Sequence, residues 1–393
     1  MLLKLDLIEG MKTKLNKPYR VLVFGMTPNP GGVESFLMNY YKKINKDKIH
    51  FDFLCNTHEK ISFEDEIKEL GGKIFKISMR SKHPLRYKYE LKKFFNNNSQ
   101  NYDCIWVNVN SLANIDYLKM AKKCGIKRRI IHSHNSKNMD SRLRGLLHDH
   151  NKKIIKNYAT DFWACSSSAA EWFYSNDLMP RVKIIKNAID LNDVKFDLRK
   201  RQSIRKKYNL DDNFVIGNVG RLHFQKNQTF AIDILNVLIR KNKKIKLVLV
   251  GDGPDKSALV EKVKKLKLEN YVLFTGVQTN INEWLSAFDL FLFPSRFEGL
   301  SIAGLEAEAN GLPVLAAKDG ITTELKINDN FKFLSLKEPA YTWANEINNN
   351  IQNYERTNQK KIIANFKKSG YDINSEVKKL ESLFIGENEE ISN

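Results

Sequence analysis

FLFPSRFEGLSIAGLEAEANGLPVL, Phe291 to Leu315, reads as a buried strand, a loop, a helix and a second strand. An apolar run leads to Pro294; Ser301 stands where it can cap the helix, Gly311 where the helix stops, and Pro313 before the next strand. That succession is the repeating unit of a parallel sheet. The loop carries Glu298, and Glu306 lies about a turn and a half along the helix. Both fall at the carboxyl end of a strand, where open parallel sheets bind ligands. Two carboxylates there suit recognition of hydroxyls, hence of a sugar or a ribose. They also suit a plainer arrangement, with Glu298 topping a helix dipole and Glu306 solvated.

The same alternation extends in both directions. Upstream come RVLVFG, GGVESFLMNYYKKI, HFDFLCN, FEDEIKEL, KIFKIS, PLRYKYELKKFF, CIWVNVN, NIDYLKMAKKC, RRIIHSH, RGLLHDHNKKIIKN, FWACSS and VKIIKNAI. The second half repeats the scheme with FVIGNVG, FAIDILNVLIRK, KLVLVG, DKSALVEKVKKLK, YVLFTG, INEWLSAF and DLFLFPS. Short apolar strands separated by helices predict an α/β chain of two doubly wound parallel-sheet domains. The expected divisions are an N-terminal extension over 1–18, domains over 19–190 and 191–370, and a helix and tail over 371–393. The crossing falls in the charged stretch from Asp190 to Arg205, which lacks a clear apolar period. The tail carries Ile373, Val377, Leu380, Leu383 and Phe384 at helical spacing and is expected to dock back on the N-terminal domain. The Asn-rich pieces around Asn96 and Asn348 read as loops.

The 393 residues carry a net charge of +20, unevenly spread. Residues 1 to 200 hold 37 Lys and Arg against 21 Asp and Glu, a balance of +16; the rest holds 28 against 24, or +4. Such an excess suits an anionic partner: lipid headgroups, phosphorylated ligands or nucleic acid. Nucleic acid lacks support from any helix-turn-helix, finger or RNP-like signature. Cys55, Cys104, Cys124 and Cys165 form no CxxC pair and read as free thiols of a reducing cytoplasm. No run reaches the roughly 18 apolar residues of a membrane span, and MLLKLDLIEGMK lacks a signal-peptide core. The expected location is cytoplasmic, with any membrane contact peripheral.

Several motifs sit at strand ends. Gly31 and Gly32 precede a helix, where free amides and close backbone approach favour an anion, or where a tight turn is needed. Neither that loop nor GDGPDKS from Gly251 completes GxGxxG, and the chain has no GxxxxGK[ST]. Arg221 and Lys226 occupy the loop between FVIGNVG and the next helix and could clamp a diphosphate. A diphosphate beside two hydroxyl-binding carboxylates describes a nucleotide sugar. His132 and His134 share one face of their strand, but no nearby Asp, Glu or Cys completes a metal site. His134 fits a hydrogen bond to substrate or a structural role. His148, Asp149 and His150 point in different directions on a helix, so a solvated face is expected. From Met79 to Phe95, six cations alternate with Tyr87, Tyr89, Phe94 and Phe95, as suits an anionic membrane surface or an ordinary covering helix.

Taken together, VGRLHFQKN, LVLVGDGP, FTGVQTNINEWLSAFDLFLFPS and ANGLPVLA, in this order, resemble retaining glycosyltransferases of family 4, of the GT-B fold. Glu298 and Glu306 match that family's E-x7-E motif. GGVES and HSHNS extend the likeness over nearly the whole chain, and HSHNS with the overall length is most similar to bacterial capsular or exopolysaccharide glycosyltransferases. The resemblance implies two Rossmann-like domains facing a central cleft, an acceptor-binding N-terminal one and a C-terminal one binding a nucleotide sugar. It implies that Arg221 and Lys226 hold the donor diphosphate, Glu306 the ribose and Glu298 the donor sugar. Gly299, Leu300 and Ser301 would complete the donor site, His134 would contact the transferred sugar, and Gly31 and Gly32 would line the loop near diphosphate and acceptor. No metal or other cofactor is expected. The donor would be a UDP-sugar, and the acceptor polyprenyl-diphosphate-linked or another saccharide. One departure stands out: Asn187 is followed by Ala188, Ile189 and Asp190 where relatives have NGID. An epimerase or hydrolase of nucleotide sugars, and a non-catalytic binder of anionic surfaces, are the rival readings.

Overall fold

A computed structural model describes residues 17–137 and 141–386, so most of the N-terminal extension lies outside the described residues. The chain divides into two compact units. The first takes the described residues up to His134, those from 141 to Ile185, and the stretch from Asn374 onward; the second takes 135–137 and Lys186–Ile373.

In the first unit seven strands form one sheet: β1 (Tyr19–Phe24), β2 (Ile49–Cys55), β3 (Ile74–Lys76), β4 (Cys104–Val109), β5 (Arg128–Ser133), β6 (Asp161–Ala164) and β7 (Val182–Ile184). Their order is β3-β2-β1-β4-β5-β6-β7, and every pairing is parallel. Helices cover both faces, which is why Val21, Leu22, Val23, Ile130 and Ile131 are all inaccessible to solvent along unbroken apolar runs. Trp106 of β4 is the centre of an aromatic core, its ring 5.8 Å from Phe51 and 5.7 Å from Trp163. The last helix, Ile373–Ile385, completes that core. Its Phe384 ring lies 5.5 Å from both Trp106 and Trp163, and Arg128 Nη1 donates to the Phe384 carbonyl at 2.9 Å.

A buried carboxylate ties the sheet's other half. Asp52 of β2 is fully buried, pairs with Arg20 of β1, and accepts from the Lys73 amide at 2.9 Å and the Tyr102 hydroxyl at 3.0 Å. Burial opposes its charge, but the His50 and Lys73 hydrogen bonds and the Arg20 guanidinium together hold its carboxyl down at about 2.

The second unit has β8 (Phe214–Val219), β9 (Ile245–Val250), β10 (Val272–Gly276), β11 (Leu290–Phe293), β12 (Val314–Ala317) and β13 (Phe331–Leu334), all parallel, in the order β10-β9-β8-β11-β12-β13. Ile232, Leu235, Leu247, Leu249, Leu290, Leu292 and Trp343 pack in one core. Three arginines knot the end of helix Ile281–Ala287: Arg356 donates to the carbonyls of Leu285, Ser286 and Phe288, Arg201 and Arg205 to neighbouring carbonyls and to Asp289. Cations at a helix C-terminus complete carbonyls that have no partner within the helix.

Two sequence expectations need correction, and one pair of alternatives is narrowed. The asparagines around Asn96 and Asn348 end helices Pro84–Asn98 and Ala340–Asn350, because Leu91, Phe94 and Phe95 in one and Trp343 and Ile347 in the other are buried. Packing overrides the weak helix propensity of Asn. The stretch Asp190–Arg205 contains helices Leu191–Val194 and Leu198–Lys207, the second capped by Asp197, which accepts from the Arg199 and Lys200 amides. Its anchors are Arg201 and Arg205, so an apolar period does not reveal it. Of the aromatics between Met79 and Phe95, Tyr87, Phe94 and Phe95 are core residues, and Tyr89 alone of the four named is exposed.

Candidate functional site

Strand order in the second sheet reverses between β8 and β11, so the loops that leave their carboxyl ends diverge around a switch point. The β8 loop carries Arg221 and Lys226; the β11 loop carries Glu298, Gly299, Leu300 and Ser301. Buried amides sew the two together. Gln225 Nε2 donates to the Phe297 carbonyl at 3.0 Å, Asn227 Nδ2 to the Pro294 carbonyl at 3.1 Å, and the Arg296 amide to the Gln225 carbonyl at 2.7 Å. Beneath them Asn218 Nδ2 donates to the Leu292 carbonyl at 2.9 Å, and Gln228 Nε2 to the Arg221 carbonyl at 3.1 Å. On the far side lies the β9 loop, where a Cβ on Gly253 would sit 2.3 Å from the Leu222 carbonyl oxygen. Only glycine allows that approach.

Within this frame Lys226 Nζ lies 2.8 Å from Glu298 Oε1, with both side chains largely buried. The oxygen is not aligned as a hydrogen-bond acceptor, so charge holds the pair. The same ammonium stands 5.6 Å from the centroid of Phe293. Arg221 is exposed, and its guanidinium has no partner among the described residues. The two cations therefore differ: one is engaged by the carboxylate, the other is open to an anion.

Helix Ile302–Ala309 follows, with Ser301 Oγ accepting from the Gly304 amide at 3.4 Å. The Glu298 amide donates to the Gly320 carbonyl at 2.8 Å, and the Leu300 carbonyl accepts from Asn187 Nδ2 at 2.7 Å. Glu306 keeps some accessible surface, and its carboxylate has no hydrogen-bond partner among the described residues. Burial pushes it up to about 7. An unpartnered carboxylate in such a place is a ready acceptor for hydroxyl donors. Glu308, two residues on, is structural instead. It is fully buried and accepts from the Asn328 amide at 2.6 Å and the Ile327 amide at 3.0 Å. Burial raises it to about 8 against those hydrogen bonds.

The remaining predicted residues belong to the first unit. His134 follows β5, its amide donating to the Val109 carbonyl at 3.2 Å and its Nε2 2.9 Å from Asn108 Oδ1. Burial holds the imidazole down at about 3, so it is neutral. Gly31 caps helix Gly32–Lys43 through its backbone alone, and Gly32 borders open space. Glu34 turns back over that loop, taking the Thr27 hydroxyl at 2.5 Å, and burial raises its carboxyl. The glycine pair thus faces an acidic group that sequence reasoning did not assign.

His148 corrects an expectation of solvation. It is buried, accepts at Nδ1 from the Leu112 amide at 3.1 Å and stacks on Trp172 with centroids 4.1 Å apart. Sequence reasoning also missed Gln225, Asn227 and Glu308. The first two sit in the quoted run VGRLHFQKN, and buried-amide roles have no spacing signal of their own.

Residues 200–369 match the family model described as glycosyl transferases group 1. EpsF of Bacillus subtilis, named a putative glycosyltransferase, is 30% identical over 329 residues, covering 81% of this chain and 84% of EpsF. The capsular polysaccharide biosynthesis glycosyltransferase CapH of Staphylococcus aureus is 24% identical over 367 residues, covering 91% and 96%. Among solved structures, Anabaena HepE in complex with UDP and glucose superposes with a TM-score of 0.76 at 20% identity, covering 94% of this chain and all of that one.

Proposed function

The chain belongs to the glycosyl transferases of group 1, and from that premise we propose that it transfers a sugar, with retention of anomeric configuration, from a UDP-sugar to a lipid-linked or saccharide acceptor in capsular or exopolysaccharide synthesis. The observation that carries the donor side is the Lys226–Glu298 pair, 2.8 Å apart at the switch point, next to the unpartnered carboxylate of Glu306. Arg221 and Lys226 take the diphosphate, Glu306 the ribose hydroxyls and Glu298 the sugar hydroxyls, with Gly299, Leu300 and Ser301 lining the donor. UDP-bound HepE supports the choice of nucleotide by analogy, and CapH the polysaccharide setting.

As the bond from the anomeric carbon to the diphosphate breaks, negative charge grows on the leaving oxygen. Arg221 and Lys226 stabilise it more in the transition state than before it, which is how binding becomes rate. The acceptor oxygen attacks from the same face and its proton passes to the departing diphosphate, so no enzyme nucleophile is consumed. Two cations supply what a divalent ion supplies elsewhere, and the reaction needs no metal.

A screen of nucleotide sugars against lipid-linked and free saccharide acceptors, read by product mass, tests this reading. Turnover that survives chelation, with an α-linked product from an α-linked donor, is expected. Conversion of the donor without any acceptor would favour an epimerase or hydrolase instead.

Peripheral membrane contact belongs to the same proposal. Helices Pro84–Asn98 and Arg142–Ile154 flank one loop, Tyr87 Oη accepting from Asn114 Nδ2 at 3.0 Å and Asn151 Nδ2 donating to the Leu112 carbonyl at 2.6 Å. Their first two turns leave Leu85 82%, Tyr89 65%, Leu143 67% and Leu146 68% exposed. Lys82, Arg86, Lys88, Arg142 and Arg144, interleaved with them along the sequence, are exposed as well. Exposed apolar side chains interleaved with cations fit an anionic lipid surface. Changing the four apolar residues to Ser should abolish co-sedimentation with phosphatidylglycerol vesicles; unchanged binding would sink this surface.

A further inference from the structure

Lys226 sits between two residues whose side chains reach out of their own loop. Gln225 Nε2 donates to the Phe297 carbonyl at 3.0 Å, and the Gln225 carbonyl accepts from the Arg296 amide at 2.7 Å. Asn227 Nδ2 donates to the Pro294 carbonyl at 3.1 Å, and Asn227 Oδ1 accepts from Arg296 Nη2 at 3.3 Å. Both flanks of the lysine are thus fastened to the β11 loop that carries Glu298, and all of these residues lie in the second unit.

Asn227 precedes helix Gln228–Leu238 in the left-handed region, at φ 56° and ψ 39°, which asparagine enters more readily than most residues with a side chain. An asparagine at a helix start ordinarily turns its side chain onto the first free amides; this one makes no such cap. Buried at 7% exposure, it directs both donor and acceptor to the other loop. Turning the amide over would set Oδ1 against the Pro294 carbonyl and Nδ2 against a guanidinium, so only one orientation satisfies both contacts. The lysine is constrained as well. Its amide donates to the His223 carbonyl at 2.8 Å, which closes a turn. Its stem lies over the end of β8: a Cβ on Gly220 would stand 3.1 Å from Lys226 Cε and 3.4 Å from Cδ. The position of the ammonium therefore follows the backbone that Gln225 and Asn227 pin.

We propose that Asn227 is a positioning residue that holds the Lys226 ammonium where it meets the diphosphate of the donor, by tying the lysine's backbone to the Pro294 carbonyl. This rests on the reading that Lys226 takes the diphosphate. A lysine is a point charge on a flexible stem, so what it contributes depends on where its backbone is held. A neutral amide fixes that backbone without adding a second charge beside the phosphates.

Asn227→Gly removes the side chain and keeps the left-handed backbone without steric cost. In calorimetry on the full chain it should weaken UDP about tenfold, the lower end for a weakened hydrogen bond to a charged group. Uridine, which lacks phosphates, should bind as it does to wild type in a nuclear magnetic resonance titration. An equal loss of uridine would mark a distorted loop rather than a misplaced ammonium and overturn the proposal, as would a chain that no longer folds. A double-mutant cycle then asks whether Asn227 acts through Lys226. In the Lys226→Ala background, adding Asn227→Gly should change UDP affinity by less than about twofold, since no ammonium is left to place; a full tenfold loss there would show that Asn227 acts by another route. Should Lys226→Ala bind UDP like wild type, the diphosphate reading itself fails, and the proposal with it. Should Lys226→Ala lose affinity while Asn227→Gly keeps it, that reading stands and Asn227 positions nothing.

Discussion

Lys226 and Glu298 neutralise each other across two loops, Nζ to Oε1 at 2.8 Å. A diphosphate must therefore compete with Glu298 for the ammonium, and a bound diphosphate releases Glu298 to accept from sugar hydroxyls. Glu298→Gln removes the competitor. It should tighten UDP binding several-fold by calorimetry while lowering kcat about 100-fold or more, the usual scale for losing a transition-state contact. Lys226→Ala should weaken UDP and lower kcat together. Unchanged UDP affinity in both variants would remove Lys226 from the diphosphate site.

Glu306 makes two opposite pH effects. Its carboxyl is raised to about 7 from an ordinary value near 4.5. The folded chain thus holds its proton more firmly than the unfolded one; the associated stability is present below about 4.5 and is lost as pH rises through about 7. Ribose hydroxyls donate to the ionised form, so nucleotide affinity should rise over that same interval. Glu306→Gln should flatten both the melting and the affinity profiles. Glu308, raised to about 8, adds to the stability slope alone, and Glu308→Gln should leave the affinity slope intact.

Asp52 behaves in the reverse sense. Held at about 2 by His50, Lys73 and Arg20, it contributes stability that is complete above about 4 and is lost as pH falls through about 2. Asp52→Asn should cost about 3 kcal/mol at neutral pH, because Arg20 is left without its buried partner. Denaturant unfolding measures it, and a loss under ~1 kcal/mol would show that the Arg20–Asp52 contact adds little.

Arg356 reaches the Leu285, Ser286, Phe288 and Asn310 carbonyls, and burial lowers its guanidinium to about 9. Arg356→Leu should destabilise the second unit by roughly 2 kcal/mol, since the Leu285 and Asn310 carbonyls lose their arginine donor at a cost on the order of 1 kcal/mol each, while Ser286 and Phe288 keep Arg201. UDP binding measured well below the melting temperature should survive.

The architecture is legible because parallel strands buried on both faces write themselves as short apolar runs, and their loops as glycine and proline. Glu298, Glu306, Arg221 and Lys226 are legible for a related reason: each lies one loop beyond a recognisable strand. Helix Leu198–Lys207 is not, since arginine hydrogen bonds rather than apolar spacing anchor it. For Tyr87, Phe94 and Phe95 two alternatives stayed open in the sequence, because a basic, aromatic stretch does not say which side faces the sheet. Strand β13 has only 4 residues, one of them an exposed lysine, and helix Gln359–Ser369 buries only Ile362 and Phe366, so neither pattern stands out from its surroundings.

By itself, the order of residues determined the two doubly wound sheets and which loops carry charged side chains, because periodicity and turn chemistry act over a few neighbours. Only the tertiary structure decided which of those charges meet. Lys226 reaches Glu298, and His134 acquires its partner in Asn108, through pairings set by strand order and by glycine-permitted backbone contact. Burial, another product of the fold, then raises Glu306 and lowers His134, and so settles which of them accepts protons and which hydrogen bonds each can offer.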